Sequence, residues 1–152
     1  MQKNVAVTKE VTFDCAHMLS GHEALCKNLH GHTYKVLVSV YGTQINGGSS
    51  DGMVIDFKHL KSAITEVIMD TFDHAVIFSS PTYRGEAEQE LYSWAMKHKM
   101  RMFVMPSRTT AENMSKYFRE AIHAFLVDKL GLTNIEWVSV KVYETPTSYA
   151  EV

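Results

Sequence analysis

Two stretches of this chain alternate between apolar and polar residues, and both run into histidine. In the first, Val5, Val7, Val11, Phe13 and Cys15 alternate with Ala6, Thr8, Glu10, Thr12 and Asp14, and His17 continues the apolar parity. In the second, Tyr34, Val36, Val38 and Val40 share one parity, and His30 and His32 precede them in the same parity. A period of two belongs to a strand, which sends residues i and i+2 to one face. Strands over 5–17 and 32–42, paired antiparallel, would set the end of the first beside the start of the second. His17, His30 and His32 would then converge at one corner of one apolar face. A lone histidine on a strand, or an isolated His-x-His pair, is weak evidence. Three imidazoles at a buried corner are stronger, because each needs a polar partner there. Three neutral imidazoles with no ligating carboxylate suit Zn2+ at ~2.0–2.1 Å, with a fourth position left open.

The rest of the chain supplies helices and two further strands. Residues 18–29 read as irregular around Gly21 and Cys26, and 46–52 as a turn-forming loop. A short extended piece follows at 53–55. Asp56 can cap a helix in which Phe57, Leu60, Ile64, Val67 and Ile68 recur at helical spacing as one buried stripe. The segment 71–80, around Asp73-His74, reads as irregular or extended. The segment 82–100 is weakly helical, and 101–105 is strand-like up to Pro106. Thr109-Thr110-Ala111-Glu112 fits a capping box. It opens a helix with the stripe Met114, Tyr117, Phe118, Ala121, Ile122, Phe125 and Leu126, which Gly131 can stop. Strands are expected over 135–143 and 148–152. Strands, helices and strands joined by short connections predict an α+β domain: an antiparallel sheet with helices on one face. Open sheet edges favour a homo-oligomer that covers them.

A length of 152 residues allows one domain over 1–152 with a core of its own. Hydrophobic residues make up 45% of it, which argues against disorder. A net charge of −2 with no basic run argues against nucleic acid as a partner. No apolar run reaches membrane-spanning length and no leader is visible. Two cysteines fit a reducing compartment, so a cytoplasmic protein is expected.

Three further groups could carry chemistry. Cys26 lies four residues before His30, and a thiol near a metal can lose its proton and act as base or nucleophile. It could equally be a fourth ligand that closes a structural site. Cys15 has core parity, and packing is its expected role. Asp73 beside His74 could fix the ring's tautomer, although residues adjacent in sequence need not touch. Glu144 continues the parity of Val138, Val140 and Val142, so the late strand ends in a carboxylate on the core face. That carboxylate needs an internal cation, or a ligand offering two parallel N–H donors such as a 2-amino-4-oxo pyrimidine edge.

Together these residues resemble the 6-pyruvoyl-tetrahydropterin synthase and 6-carboxy-tetrahydropterin synthase family. The resemblance is carried by Phe13-Asp14-Cys15-Ala16-His17, Cys26-x-x-x-His30-Gly31-His32, and Gly52-Met53-Val54-Ile55-Asp56-Phe57. Asp73-His74, Thr110-Ala111-Glu112-Asn113 and Tyr143-Glu144-Thr145 continue it in the family's order. It implies a tunnelling fold: a four-stranded antiparallel sheet with two helices per subunit, subunits joining into a barrel, commonly a hexamer with the active site at an interface. It implies zinc on His17, His30 and His32, and Cys26 as proton acceptor with Asp73 and His74 as a relay. Glu144 would anchor the pterin and is often counted in the relay, and Thr110 and Glu112 would join Glu144 in binding substrate. The implied substrate is 7,8-dihydroneopterin triphosphate. The product is 6-carboxy-tetrahydropterin with acetaldehyde, toward 7-deazaguanines such as queuosine, or 6-pyruvoyl-tetrahydropterin. The Cys26–His30 spacing and residues 144–150 resemble the 6-carboxy branch. The long stretch 79–108 departs from the shortest members and could reshape the substrate mouth or an interface. Lys27, Arg84 and Arg108 are candidate triphosphate cations. A non-catalytic protein with a closed zinc site or a pterin-binding role, and a metal-dependent nucleotide hydrolase that needs no Cys26, are the competing expectations.

Overall fold

The computed structural model describes residues 5–152, and the first four positions of the expected 1–152 unit lie outside the described residues. Alternation decides the centre of the molecule. β1 (Val5–His17) and β2 (His30–Gly42) pair antiparallel in the register His17↔His30, Cys15↔His32 and Phe13↔Tyr34. After β2 comes α1 (Phe57–Ile64), continued by a π-helical turn at Thr65–Met69 and by α2 (Asp70–Phe72). β3 (Ala75–Phe78), α3 (Glu86–Lys97) and β4 (Met102–Val104) follow. Next is α4 (Ala111–Ala124), with a π-helical turn at Phe125–Lys129, then β5 (Ile135–Thr145) and β6 (Ser148–Glu151). β5 aligns Val142, Val140 and Val138 with Val36, Val38 and Val40 of β2. All six valines are buried, with Phe13 and Tyr34, on the face covered by α1 and α4. A one-residue slip would turn that whole set outward, so burial itself pins the register.

The sheet corrects one expectation. Among the described residues it has six strands in the order β4-β3-β1-β2-β5-β6, not four, and it is mixed rather than wholly antiparallel. β3 runs parallel to β1 and β4 runs parallel to β3. Parallel neighbours need a long crossover, and α3 supplies it between β3 and β4. Ala75, Ile77 and Phe78 are all buried, so β3 shows a continuous apolar run instead of alternation. Residues 53–55 bend rather than join the sheet, with Ile45 N–H donating to the Met53 carbonyl at 2.8 Å.

The helix starts are chemical. Asp56 Oδ1 accepts the Lys58 N–H at 2.8 Å, the expected cap. Phe57 then points to solvent, 59% exposed, and the buried stripe begins at Leu60, Ala63 and Ile64 instead. The expected capping box is also corrected. Thr110 is the cap, accepting the Asn113 N–H at 3.3 Å. Glu112 therefore falls at the second helical position rather than the third that a box needs. Gly131 ends the helix with φ +69°, a conformation that favours glycine.

An aromatic cluster joins sheet to helices. Phe13 stacks on Tyr34 at 5.1 Å and meets Phe118 edge-on at 6.1 Å, and Phe118 lies 4.7 Å from Phe72. Phe118 is fully buried. Phe118→Ala is expected to destabilise the fold by about 3–5 kcal/mol, read from the urea midpoint.

Candidate metal centre and active site

The register decides the site. His17 faces His30 across the β1–β2 pair, and His32 follows on the same face, so the ring centroids lie 4.7, 4.9 and 5.3 Å apart. One ring nitrogen from each of the three lies within 4.8 Å of the others. His17 Nδ1–H donates to the Thr109 carbonyl at 2.9 Å, with Thr109 Oγ1 at 3.2 Å. His30 Nδ1–H donates to the Asn28 carbonyl at 2.7 Å. A carbonyl only accepts, so each neutral ring carries its proton on Nδ1 and keeps a lone pair on Nε2, which at His17 has the Tyr34 hydroxyl 3.5 Å away. Backbone oxygens that orient a ring this way are the usual support of ligating histidine. His32 Nε2 is buried and has no hydrogen-bond partner among the described residues. An orphaned nitrogen beside two presented lone pairs fits a divalent cation such as zinc. Tetrahedral ligands sit roughly 3.3 Å apart, so small ring rotations suffice to gather the set.

The electrostatics agree with neutral rings. Burial holds His17 down at about 4, with His30 and His32 adding to the effect and the Thr109 hydrogen bond opposing it. Burial also lowers His32, outweighing the nearby Glu144 carboxylate. Glu144 Oε1 lies 3.6 Å from His32 Nε2, a contact of carboxylate with neutral imidazole rather than an ion pair. In the metal-free protein, His17 protonates more readily in the unfolded chain, near 6.5, than in the fold. Its stabilising contribution is complete above about pH 6.5 and is lost as pH falls to about 4. Metal-free protein is therefore expected to lose on the order of 3 kcal/mol between those limits, a loss that His17→Gln should lack when both are unfolded in urea.

The two thiols differ. Cys15 is buried, and burial, with help from Asp14, Asp73 and Glu144, pushes its thiol up to about 12. It packs, as expected. Cys26 sits half-buried in a 3-10 turn (Leu25–Lys27), outside the three-histidine set. Its carbonyl accepts the Leu19 N–H at 2.8 Å. Leu25 and Leu29 flank it at 83% and 51% exposure, two large apolar side chains turned to solvent beside the thiol.

Asp73 and His74 do touch, with Asp73 Oδ1 3.0 Å from His74 Nδ1. They form a second constellation with Asp14. The Asp14 N–H donates to Asp73 Oδ1 at 3.1 Å, and the His74 N–H donates to the Asp14 carbonyl at 2.7 Å. Thr33 Oγ1 donates to Asp14 Oδ1. Arg101 spans the carbonyls of Asp73 and Met69 at 2.6 and 2.9 Å. Desolvation alone would raise the Asp73 carboxyl. The Asp14 N–H, the His74 ring and the Arg101 guanidinium outweigh it and hold it below the usual carboxylate range. His74 has φ +60° and a ring 76% exposed.

Two open clefts meet at His32. One, of about 480 Å³, is bordered by Asp14, Thr33 and His74. The other, of about 490 Å³, is bordered by Lys35, Tyr143 and Glu144. The His74 cleft does not include Cys26. Thr110 sits at the α4 cap beside Thr109, and Glu112 is exposed in the first turn of α4. Of the candidate cations, Arg84 is committed to the Ser79 carbonyl and Gln89, and Arg108 to the Ser20 carbonyl. Sequence reasoning missed Thr109, Asn28, Asp14 and Arg101. Thr109 meets His17 from 92 positions away, a partnership with no local signal.

Comparison with known proteins adds a consistent set of relatives. Residues 6–152 match the family model described as 6-pyruvoyl tetrahydropterin synthase. The chain is 38% identical over 146 residues to a 6-carboxy-5,6,7,8-tetrahydropterin synthase of Haemophilus influenzae, covering 95% of this chain and 96% of that protein. It is 28% identical over 150 residues to the protein of that name from Rickettsia felis, covering 97% and 99%. The solved 6-pyruvoyl tetrahydropterin synthase of Plasmodium vivax superposes with a TM-score of 0.73 at 21% identity, covering 99% of this chain and 98% of that one. That of Plasmodium falciparum gives 0.72 at 23%, covering 98% and 96%. At such identities the likeness shows the fold.

Proposed function

Because the chain belongs to the 6-pyruvoyl tetrahydropterin synthase family, we propose that it converts 7,8-dihydroneopterin triphosphate to 6-carboxy-5,6,7,8-tetrahydropterin, releasing acetaldehyde and triphosphate. The tunnelling-fold class is shared with the solved relatives, with six strands here in place of the four expected. The observation that carries the reading is the convergence of His17, His30 and His32 with an orphaned ring nitrogen among them. The name of the Haemophilus relative favours the 6-carboxy branch.

Zinc held by His17, His30 and His32 would supply a Lewis acid for the hydroxyls of the substrate side chain. The chain's own residues do the rest. Cys26 takes the carbon-bound proton as a thiolate. Asp73 orients His74, and the pair relays protons. Glu144, beside His32 at the head of its cleft, accepts the two N–H groups of the pterin edge. Thr110 and Glu112 contribute to substrate binding from the start of α4. A water supplies the second oxygen of the new carboxyl group.

The functional unit is a homo-oligomer, a hexamer, built from single 1–152 domains. His74 faces a cleft without Cys26, and apolar side chains flank Cys26, so one copy's dyad serves another copy's thiol. That arrangement makes native mass a direct test of assembly. No helix among the described residues is long and apolar enough to cross a membrane. The protein works in the cytoplasm, upstream of 7-deazaguanines such as queuosine. Zinc-loaded protein incubated with 7,8-dihydroneopterin triphosphate is expected to yield 6-carboxy-tetrahydropterin and acetaldehyde by mass spectrometry. 6-Pyruvoyl-tetrahydropterin would move the chain to the other branch, and no product with zinc fully loaded would remove the enzymatic reading.

A further inference from the structure

The segment 79–108 holds a carboxylate where a surface helix should not have one. α3 buries only two side chains, Ala95 and Glu88, and Glu88 is 0% exposed while its neighbours Ala87 and Gln89 are exposed. A buried carboxylate is costly unless its oxygens are hydrogen-bonded. Both are. Glu88 Oε1 accepts the Ser79 N–H at 2.6 Å, and Oε2 accepts the Ser20 hydroxyl at 2.5 Å. The first bond fastens α3 to the end of β3. The second reaches 68 positions back in sequence, into the loop between His17 and Cys26.

Ser20 is held from three sides by this one segment. Its hydroxyl meets Glu88 and its carbonyl accepts Arg108 Nη2 at 3.0 Å. Gly85 comes so close that a Cβ there would sit 3.2 Å from both Ser20 Cβ and Oγ. The residue before Ser20 carries the link onward, since the Leu19 N–H donates to the Cys26 carbonyl at 2.8 Å. Two hydrogen bonds, joined by the Leu19–Ser20 main chain, thus tie Glu88 to the backbone of Cys26. Arg84, whose guanidinium lies 4.0 Å from the Tyr92 ring, braces the Ser79 carbonyl at the other end.

We infer that Glu88 is a positioning residue that fixes the Cys26 loop through Ser20, so that α3 and its flanks set where the thiol stands. The consequence for turnover rests on the function proposed above, whereas the anchoring does not. A thiolate displaced by about 1 Å from a carbon acid loses on the order of 10²-fold in rate without losing substrate affinity. Glutamine at position 88 keeps an acceptor for the Ser79 N–H and can donate to Ser20 Oγ, so it preserves the link by reversing one bond.

Ser20→Ala, Gly85→Ala, Glu88→Ala and Glu88→Gln separate these effects in the full-length zinc-loaded protein. In Ser20→Ala and Glu88→Ala, hydrogen exchange at the Leu19 amide should rise about tenfold or more, with the β1–β2 amides unchanged. Alkylation of Cys26 by iodoacetamide should accelerate in parallel. The value of kcat should fall by about 10–100-fold with KM within about threefold. Gly85→Ala, which presses on Ser20 from the other side, should shift the same readouts in the same direction, and Glu88→Gln should restore them. Ser20→Ala removes one loop hydroxyl outside the core and keeps the test open if Glu88→Ala fails to fold. Unchanged exchange and alkylation in Ser20→Ala overturn the anchoring. Looser exchange with no turnover even in the unsubstituted protein keeps the anchoring and removes the proposed reaction instead.

Discussion

Cys26→Ala is expected to lower kcat by about 10²–10⁴-fold while leaving metal content unchanged. The size follows from the proton-acceptor role proposed for Cys26, and the unchanged metal from the place of Cys26 outside the three-histidine set. No second thiol can substitute, because Cys15 is buried with its thiol pushed up to about 12. Metal analysis and single-turnover kinetics on the same preparation decide the matter. Loss of metal from Cys26→Ala would make the sulfur a ligand of a closed site. Retained turnover would assign the proton to another base and favour a hydrolase that needs no thiol.

His30→Ala should have the second large effect, lowering metal affinity by more than the 10–100-fold that accompanies loss of an orienting partner alone. His30 is the best member of the set to remove. It is only half-buried and its ring donates to the Asn28 carbonyl two positions before it, so the fold should survive. Chelation of the unsubstituted protein should reproduce the inactivity, and added zinc should reverse it only in the unsubstituted chain. Full metal affinity in His30→Ala, measured by competition with a chromophoric chelator, would dismantle the three-imidazole centre.

The corner of histidines was legible because a period of two leaves no freedom. Once Val36 and Phe13 face the core, His17, His30 and His32 share that face, and the antiparallel register sets His17 opposite His30. The parity of Glu144 carried the same information to β5. β3 and β4 were harder. They have four and three residues, and β3 shows no alternation because both of its faces are covered, so periodicity was silent about their place in the sheet. The cap at Thr110 rather than Thr109 turned on one position between identical residues. The outcome was informative, since Thr109 is free to hold His17 because its neighbour does the capping. Glu88 was invisible. On a helix beginning Glu86-Ala87-Glu88-Gln89-Glu90, an acid reads as solvated surface, and its bonds to the Ser79 amide and to Ser20, remote in sequence, reveal otherwise.

The backbone of His74 bears on how position 74 would respond to randomisation. At φ +60° glycine is admitted freely and asparagine more readily than most side chains, while valine or isoleucine would distort the main chain before any chemistry is attempted. A library sorted for soluble expression would thus enrich Gly and Asn there. One sorted for turnover would retain His, and the divergence of the two populations would measure what the imidazole contributes once its awkward geometry has been discounted.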